Sequence, residues 1–185
     1  MPPPGLRAVS TIFLDRDGTI NVKPAEGEYV TAPADLVLLP GAARAVARLN
    51  AAGLRTVLVT NQRWLSGPSA DPACYAAVHA RLEQLLAAEG GWLDAAYHCP
   101  HAAATCDCRK PCPGMLRRAA REYRIELDRA VMIGDSDSDL MAGRAAGTST
   151  ILLRPGAAGS AAADAVADDL PAAVCLILQA QTAAG

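Results

Sequence analysis

Short runs of aliphatic and β-branched residues alternate along this chain with longer stretches whose apolar side chains recur every three or four positions. Val9 to Leu14 (VSTIFL) predicts a buried strand, cut off by the turn-forming Asp15-Arg16-Asp17-Gly18-Thr19. Residues 18–40, rich in Pro, Gly and Glu, read as a surface loop. Ala42, Val46 and Leu49 keep helical spacing between Gly41 and Gly53, and Gly53 is placed to stop that helix. Arg55 to Val59 is a second strand. Asp71 reads as an N-cap with Pro72 in the first helical position, opening a helix that runs to about Glu89. Trp92 to Tyr97 predicts a third strand, and Pro113 to Tyr123 a basic helix. Ala130 to Ile133 predicts a fourth strand, and a helix starts at Asp137 or Ser138 and ends at Ala146. Thr148 to Leu153 predicts a fifth strand, and Leu170 to Gln179 a closing helix. Strands that are apolar on both faces and alternate with helices predict an α/β fold. The expected architecture is a three-layer, Rossmann-like parallel sheet of about five strands flanked by helices.

Length and composition bound what such a sheet can be. With 185 residues the expectation is one domain, 1–185, able to bury roughly 70% of its unfolded surface. Hydrophobic residues are 51% and charged residues 19%, a globular balance. Aromatics are only 4% and alanine is abundant, so close packing by small side chains is expected. A net charge of −2 argues against a protein that binds mainly nucleic-acid phosphate. Every apolar run is interrupted before the roughly 18 residues of a membrane span. Residues 1–5 (MPPPG) lack the basic start and apolar stretch of a secretory signal, so a cytoplasmic protein is expected. No helix shows an exposed apolar face, which makes a monomer the expectation.

Ligands of open α/β sheets sit beyond the carboxyl ends of the strands. Those ends hold Asp15 and Asp17, then Thr60, then Asp135, while Lys110 follows the third strand. Each alone could be a turn, a helix cap or a surface charge. Together they form an oxygen-rich pocket suited to Mg²⁺, with a hydroxyl and a fixed cation to hold a phosphoryl oxygen.

Four of the six cysteines crowd into fourteen residues. Cys99, His101, Cys106 and Cys108 supply three thiolates and one imidazole, a donor set for tetrahedral, structural Zn²⁺ with no open position. A cluster of reduced surface thiols is the plainer alternative, and Cys112 competes as a ligand although Pro111 and Pro113 restrict it. His98 sits too close to Cys99 to join, and His79 reads as helix surface. Cys74 and Cys175 read as small buried hydrophobes.

The order Asp15-x-Asp17-Gly18-Thr19, Thr60, Lys110-Pro111 and Gly134-Asp135-x-x-x-Asp139 resembles the four motifs of the haloacid dehalogenase superfamily of phosphohydrolases, over roughly residues 9–155. The resemblance implies Asp15 as nucleophile and Asp17 as general acid and base. It implies Mg²⁺ on the Asp15 carboxylate, the Asp17 backbone carbonyl and Asp135, with Asp139 in support. Phe13–Asn21 (FLDRDGTIN), Val59–Gln62, Cys99–His101, Cys106–Pro111 and Pro113–Leu116 look like the D-glycero-D-manno-heptose-1,7-bisphosphate 7-phosphatases, a branch shared with histidinol-phosphate phosphatases. Carried over residue by residue, the zinc ligands are Cys99, His101, Cys106 and Cys108. Lys110 would stabilise the transferred group, and Arg109 would meet the remote phosphate or sugar. Asn61, Gln62 and Arg63, with the loop Glu26, Gly27, Glu28 and Tyr29, would complete a pocket for a small sugar phosphate. The chain departs from the branch at Arg63-Trp64-Leu65, at Ser136 and at Cys112. No insertion exceeds about twenty residues, so no cap domain is expected, and the pocket should be shaped by loops 20–34, 61–70 and 98–114.

Overall fold

The structure is a computed structural model that describes residues 6, 8–68, 70–156 and 163–182. Among the described residues six parallel strands form one sheet in the order β3-β2-β1-β4-β5-β6. They are β1 (Thr11–Leu14), β2 (Arg55–Asn61), β3 (Ala95–Cys99), β4 (Ala130–Gly134), β5 (Ser149–Leu153) and β6 (Ala165–Ala167). The helices are α1 (Ala42–Ala51), α2 (Pro72–Ala87), α3 (Gly114–Tyr123), α4 (Asp137–Ala146) and α5 (Leu170–Thr182).

Successive strand side chains point to opposite faces, and the core divides accordingly. Ile12, Leu14, Leu58, Val131 and Ile133 face α1, α2 and α5. Phe13, Val57, Val59 and Met132 face α3 and α4. Alanines close the gap between helix and sheet: Ala42, Ala45, Ala119, Ala142 and Ala173 are all buried. Each fully buried Leu, Ile or Phe contributes about 1.5–3 kcal/mol relative to exposure, so the alternation itself holds three layers together.

Two expectations about the strands need correcting. The third strand lies three residues later than its apolar run predicted. Trp92 is 53% exposed, and its N–H is held by Asn50 Oδ1 at 2.9 Å. Asp94 then anchors the entry by accepting the Thr56 N–H at 2.8 Å, so pairing starts at Ala95 and ends on Cys99. A sixth strand, Ala165–Ala167, adds to the sheet beyond β5. Its three small residues lie in an Ala/Gly-rich stretch and carry little strand signal. Asp164 steers it into place by accepting from Thr150 N at 2.8 Å.

Register decides what meets at the top of the sheet. Leu14 is paired with both Leu58 and Ile133, so β1 and β4 end within a residue of each other while β2 runs on three residues to Asn61. The chain winds one way from β1 through β2 to β3 and the other way from β4, which puts the switch of direction between β1 and β4. Asp15 leaves one of those two strands and Asp135 the other. Among the described residues no helix is long and apolar enough to cross a membrane.

Candidate active site

Asp15 is the residue after β1, and its amide is held by Ile133 O of the neighbouring strand at 3.0 Å. Its carboxylate lies at the floor of a cavity of about 590 Å³. Asp15 Oδ1 accepts from Lys110 Nζ at 2.6 Å, and the same ammonium lies 2.5 Å from Asp139 Oδ1. All three side chains are largely out of water. Burial pushes the Asp15 carboxyl up to about 7, against the pull of the Lys110 charge and with the help of Asp139. Burial alone would lower Lys110, yet the charges of Asp139 and Asp15 hold it above its ordinary value.

Lys110 is placed by its backbone. Asn61, the last residue of β2, donates Nδ2 to Lys110 O at 3.0 Å and accepts Lys110 N–H at 3.1 Å. Asn61 lines the cavity, but its amide is committed to this clamp. Asp139 is fixed from below by a capping box with Ser136, whose N–H and Oγ both donate to Asp139 Oδ2. Gly134 makes room for it, since a Cβ there would lie 2.3 Å from Asp139 Cγ.

Asp17 is gripped on both oxygens. Oδ1 accepts from Arg16 Nε and from Asn21 Nδ2, while Oδ2 accepts from Arg16 Nη2 at 3.1 Å and Gln62 Nε2 at 2.9 Å. Gln62 is fully buried. Its Nε2 also reaches Thr60 Oγ1 at 2.9 Å, and its Oε1 accepts the indole N–H of Trp64 at 2.9 Å. Gln62 therefore stands behind Asp17 and Thr60 instead of lining the cavity. Arg63 lines an adjoining cavity of about 440 Å³ with Tyr29, Trp64 and Ser66. Glu26, Gly27, Glu28, Tyr29, Thr60 and Arg109 line the main cavity.

The acidic residues also answer whether the site suits a hard cation. Carboxylate oxygens of Asp15, Asp135 and Asp139 lie within 4.8 Å of one another. It is Asp139, not the Asp17 side chain, that joins this group; the Asp17 share expected from the resemblance is a backbone carbonyl. Gly18, at φ +90°, lets the chain pass hard against Asp135: a Cβ there would fall 2.4 Å from Asp135 Oδ2. Oxygen donors converging beside a glycine cradle fit Mg²⁺. Lys23 was missed by the sequence reading. It leaves the irregular loop to place Nζ 2.6 Å from Asp135 Oδ2, and a loop with no periodicity carried no signal for it.

Beside the cavity, Cys99, His101, Cys106 and Cys108 converge with ligand atoms within 4.8 Å. The three sulfurs are 3.2–3.5 Å apart, and His101 Nδ1 is 3.3 Å from Cys108 Sγ. Against the effect of burial, bonds from Cys108 and from the Arg109 N–H bring the Cys106 thiol down to about 7. The group could hold a soft tetrahedral metal. Cys112 stands outside it, and His98 packs on Tyr75 at a centroid distance of 4.3 Å. Arg109 is tied to the cluster at two points, its N–H on Cys106 Sγ and Nη1 on His101 O at 3.2 Å. Cys74 and Cys175 are half-buried, not core residues as their apolar surroundings predicted: Cys74 bonds to Asp71, and Cys175 accepts from Arg48.

A parallel sheet carrying carboxylates and a buried lysine at its switch point defines a hydrolase of the haloacid dehalogenase type, and the HAD-hydrolase-like family model matches residues 107–178. The chain is 38% identical over 148 residues to the D-glycero-beta-D-manno-heptose-1,7-bisphosphate 7-phosphatase of Pseudomonas aeruginosa, covering 80% of this chain and 82% of that one. It is 40% identical to the D-glycero-D-manno-heptose-1,7-bisphosphate 7-phosphatase of Thermosynechococcus vestitus, over 88% of this chain and 92% of that one. The crystal structure of D,D-heptose 1,7-bisphosphate phosphatase from B. bronchiseptica, complexed with magnesium and phosphate, superposes with a TM-score of 0.84 at 36% identity, over 92% of this chain and 99% of that one. The chain belongs to the D-glycero-D-manno-heptose-1,7-bisphosphate 7-phosphatase family and is a phosphoric monoester hydrolase.

Proposed function

We propose that this chain removes the C7 phosphate of D-glycero-D-manno-heptose 1,7-bisphosphate in the cytoplasm, through an aspartyl-phosphate on Asp15. The observation that carries the reading is the Asp15–Lys110–Asp139 floor of the cavity: a nucleophilic carboxylate held against an ammonium that stays charged. Asp15 attacks phosphorus as the P–O bond to C7 breaks. Asp17, two residues on, gives its proton to the departing sugar oxygen and later takes one from the water that hydrolyses the aspartyl-phosphate. Lys110 and the Thr60 hydroxyl hold the oxygens of the transferred group while their charge is redistributed. Magnesium, held by the Asp15 and Asp135 carboxylates and the Asp17 carbonyl, would supply the charge that lets a carboxylate approach a phosphate dianion. Arg109 meets the second phosphate with a guanidinium suited to two oxygens.

The cysteine and histidine cluster is read as a structural zinc site. A tetrahedral zinc with bonds near 2.3 Å sets its sulfurs about 3.8 Å apart, close to the spacing found. Its part is to stiffen the segment that presents Arg109 and Lys110, not to activate water.

The relatives' names favour the heptose bisphosphate. Glu26 and Glu28 on the cavity rim would instead suit the amine of histidinol phosphate, which makes that compound the competitor to test. Steady-state kinetics on both anomers of the bisphosphate and on histidinol phosphate decide it. The expected result is a kcat/KM for one bisphosphate anomer at least about tenfold above histidinol phosphate, or ~1.4 kcal/mol of transition-state discrimination. Equal or reversed values overturn the substrate assignment.

A further inference from the structure

Among the described residues six carboxylates and three basic side chains line the main cavity. A phosphate dianion entering that excess of negative charge needs every cation the walls can offer. Lys110 is buried and shared between Asp15 and Asp139. Arg109 spends Nη1 on His101 O. Lys23 differs from both. Its ammonium sits 2.6 Å from Asp135 Oδ2, on a carboxylate of the acid cluster, while its side chain remains 56% exposed.

Backbone and side chain of Lys23 are under different constraints. The preceding residue, Val22, donates its N–H to Val37 O at 2.8 Å, and Asn21 bridges Leu38. The chain at this point is therefore pinned beside the cavity, and only the flexible four-carbon stem is free to swing. An ion pair with one member half in water holds weakly, whereas a divalent cation gathers several carboxylate oxygens at once. A metal that draws on Asp135 Oδ2 competes with the ammonium for that oxygen.

We infer that Lys23 is an exchangeable cation: the divalent ion displaces it from Asp135, and its freed ammonium then holds oxygens of the substrate's phosphate. This deepens the phosphatase reading and rests on it for the identity of the substrate, though not for the exchange itself. Metal and phosphate binding become coupled through one side chain, and by linkage each strengthens the other. Lys23 is in this sense a specificity-determining residue, since it rewards a phosphate only in the metal-loaded site.

The test compares the full chain with Lys23→Met in two titrations followed by calorimetry, neither of which requires turnover. Magnesium alone is titrated first, then inorganic phosphate at saturating magnesium. The expected result is a split of sign: the variant binds magnesium at least about threefold more tightly and phosphate at least about fivefold more weakly. A lysine that only braces the loop would weaken both. Weakening of both, or phosphate affinity equal to that of the unchanged protein, overturns the inference. A matched unfolding midpoint without metal establishes that the variant is folded, and Lys23→Gln repeats the comparison should Lys23→Met fail to fold. Because the probes are magnesium and inorganic phosphate, an error in the sugar assigned above leaves both titrations readable.

Discussion

Lys110 Nζ lies 2.6 Å from Asp15 Oδ1 although the two residues are 95 positions apart in the chain. The same ammonium compensates Asp139, so two carboxylates are buried side by side at the cost of one lysine. Lys110→Met leaves both carboxylates without their cation. Removing one partner of a buried pair costs about 3–5 kcal/mol, and urea unfolding of the metal-free protein at neutral pH should show a loss of that order. Unchanged stability would mean that the pair is not formed.

The elevated carboxyl of Asp15 makes metal binding depend on pH. Its folded value, about 7, lies above the ordinary 3.8. The folded chain therefore holds a proton that the unfolded chain releases, and stability falls as pH rises between those values. Magnesium needs the ionised carboxylate, so its stabilising effect grows over the same window. The melting temperature gained on adding millimolar magnesium should be larger at about pH 8 than at about pH 5.5. An equal or larger gain on the acid side contradicts this.

Trp64 reaches Asp17 through one intermediary. Its indole N–H, a donor only, fixes which end of the Gln62 amide turns toward Asp17 and Thr60. Trp64→Phe keeps a ring in place and deletes that donor. A hydrogen bond of about 0.5–1.5 kcal/mol acting only through Asp17 corresponds to a fall in kcat of about two- to tenfold, with KM nearly unchanged. A rise in KM at constant kcat would place Trp64 in substrate binding instead.

The cysteine cluster makes a prediction about composition as well as rate. Purified protein should carry about one zinc per chain by atomic absorption. Cys106→Ser should lose it, lower the melting temperature, and reduce activity through the slackened Arg109, which is tied to Cys106 and His101. Metal retained in that variant, or none in the unchanged protein, refutes the assignment.

Most of the fold was legible because parallel strands buried on both faces must be continuously apolar, as in Thr11–Leu14 and Ala130–Gly134. Asp15 and Asp135 were legible for a related reason: such strands end abruptly, and these acids are the next residues, whereas Thr60 lies within the end of β2 and Lys110 comes eleven residues after β3. What escaped notice had weak local signal. The strand Ala165–Ala167 is three small residues, and Trp92 lent its bulk to a run whose pairing starts only after Asp94. Lys23 lies in an irregular loop and gains meaning only when folding brings it 112 positions along the chain to Asp135. Gln62 and Asn61 sit beside the site in sequence, yet the fold turns their amides to Asp17 and to the Lys110 backbone. Adjacency in sequence located them, and only the structure separated wall from support.

The central claim is that the carboxylate of Asp15 takes the phosphoryl group. Turnover of the bisphosphate quenched in acid, reduced with borohydride and digested for mass spectrometry reads it directly, because an aspartyl-phosphate is reduced to homoserine at its own position. The account predicts homoserine at position 15 and none when Asp15→Asn is treated alike. Homoserine at position 17, or full-rate phosphate release by Asp15→Asn, would contradict it.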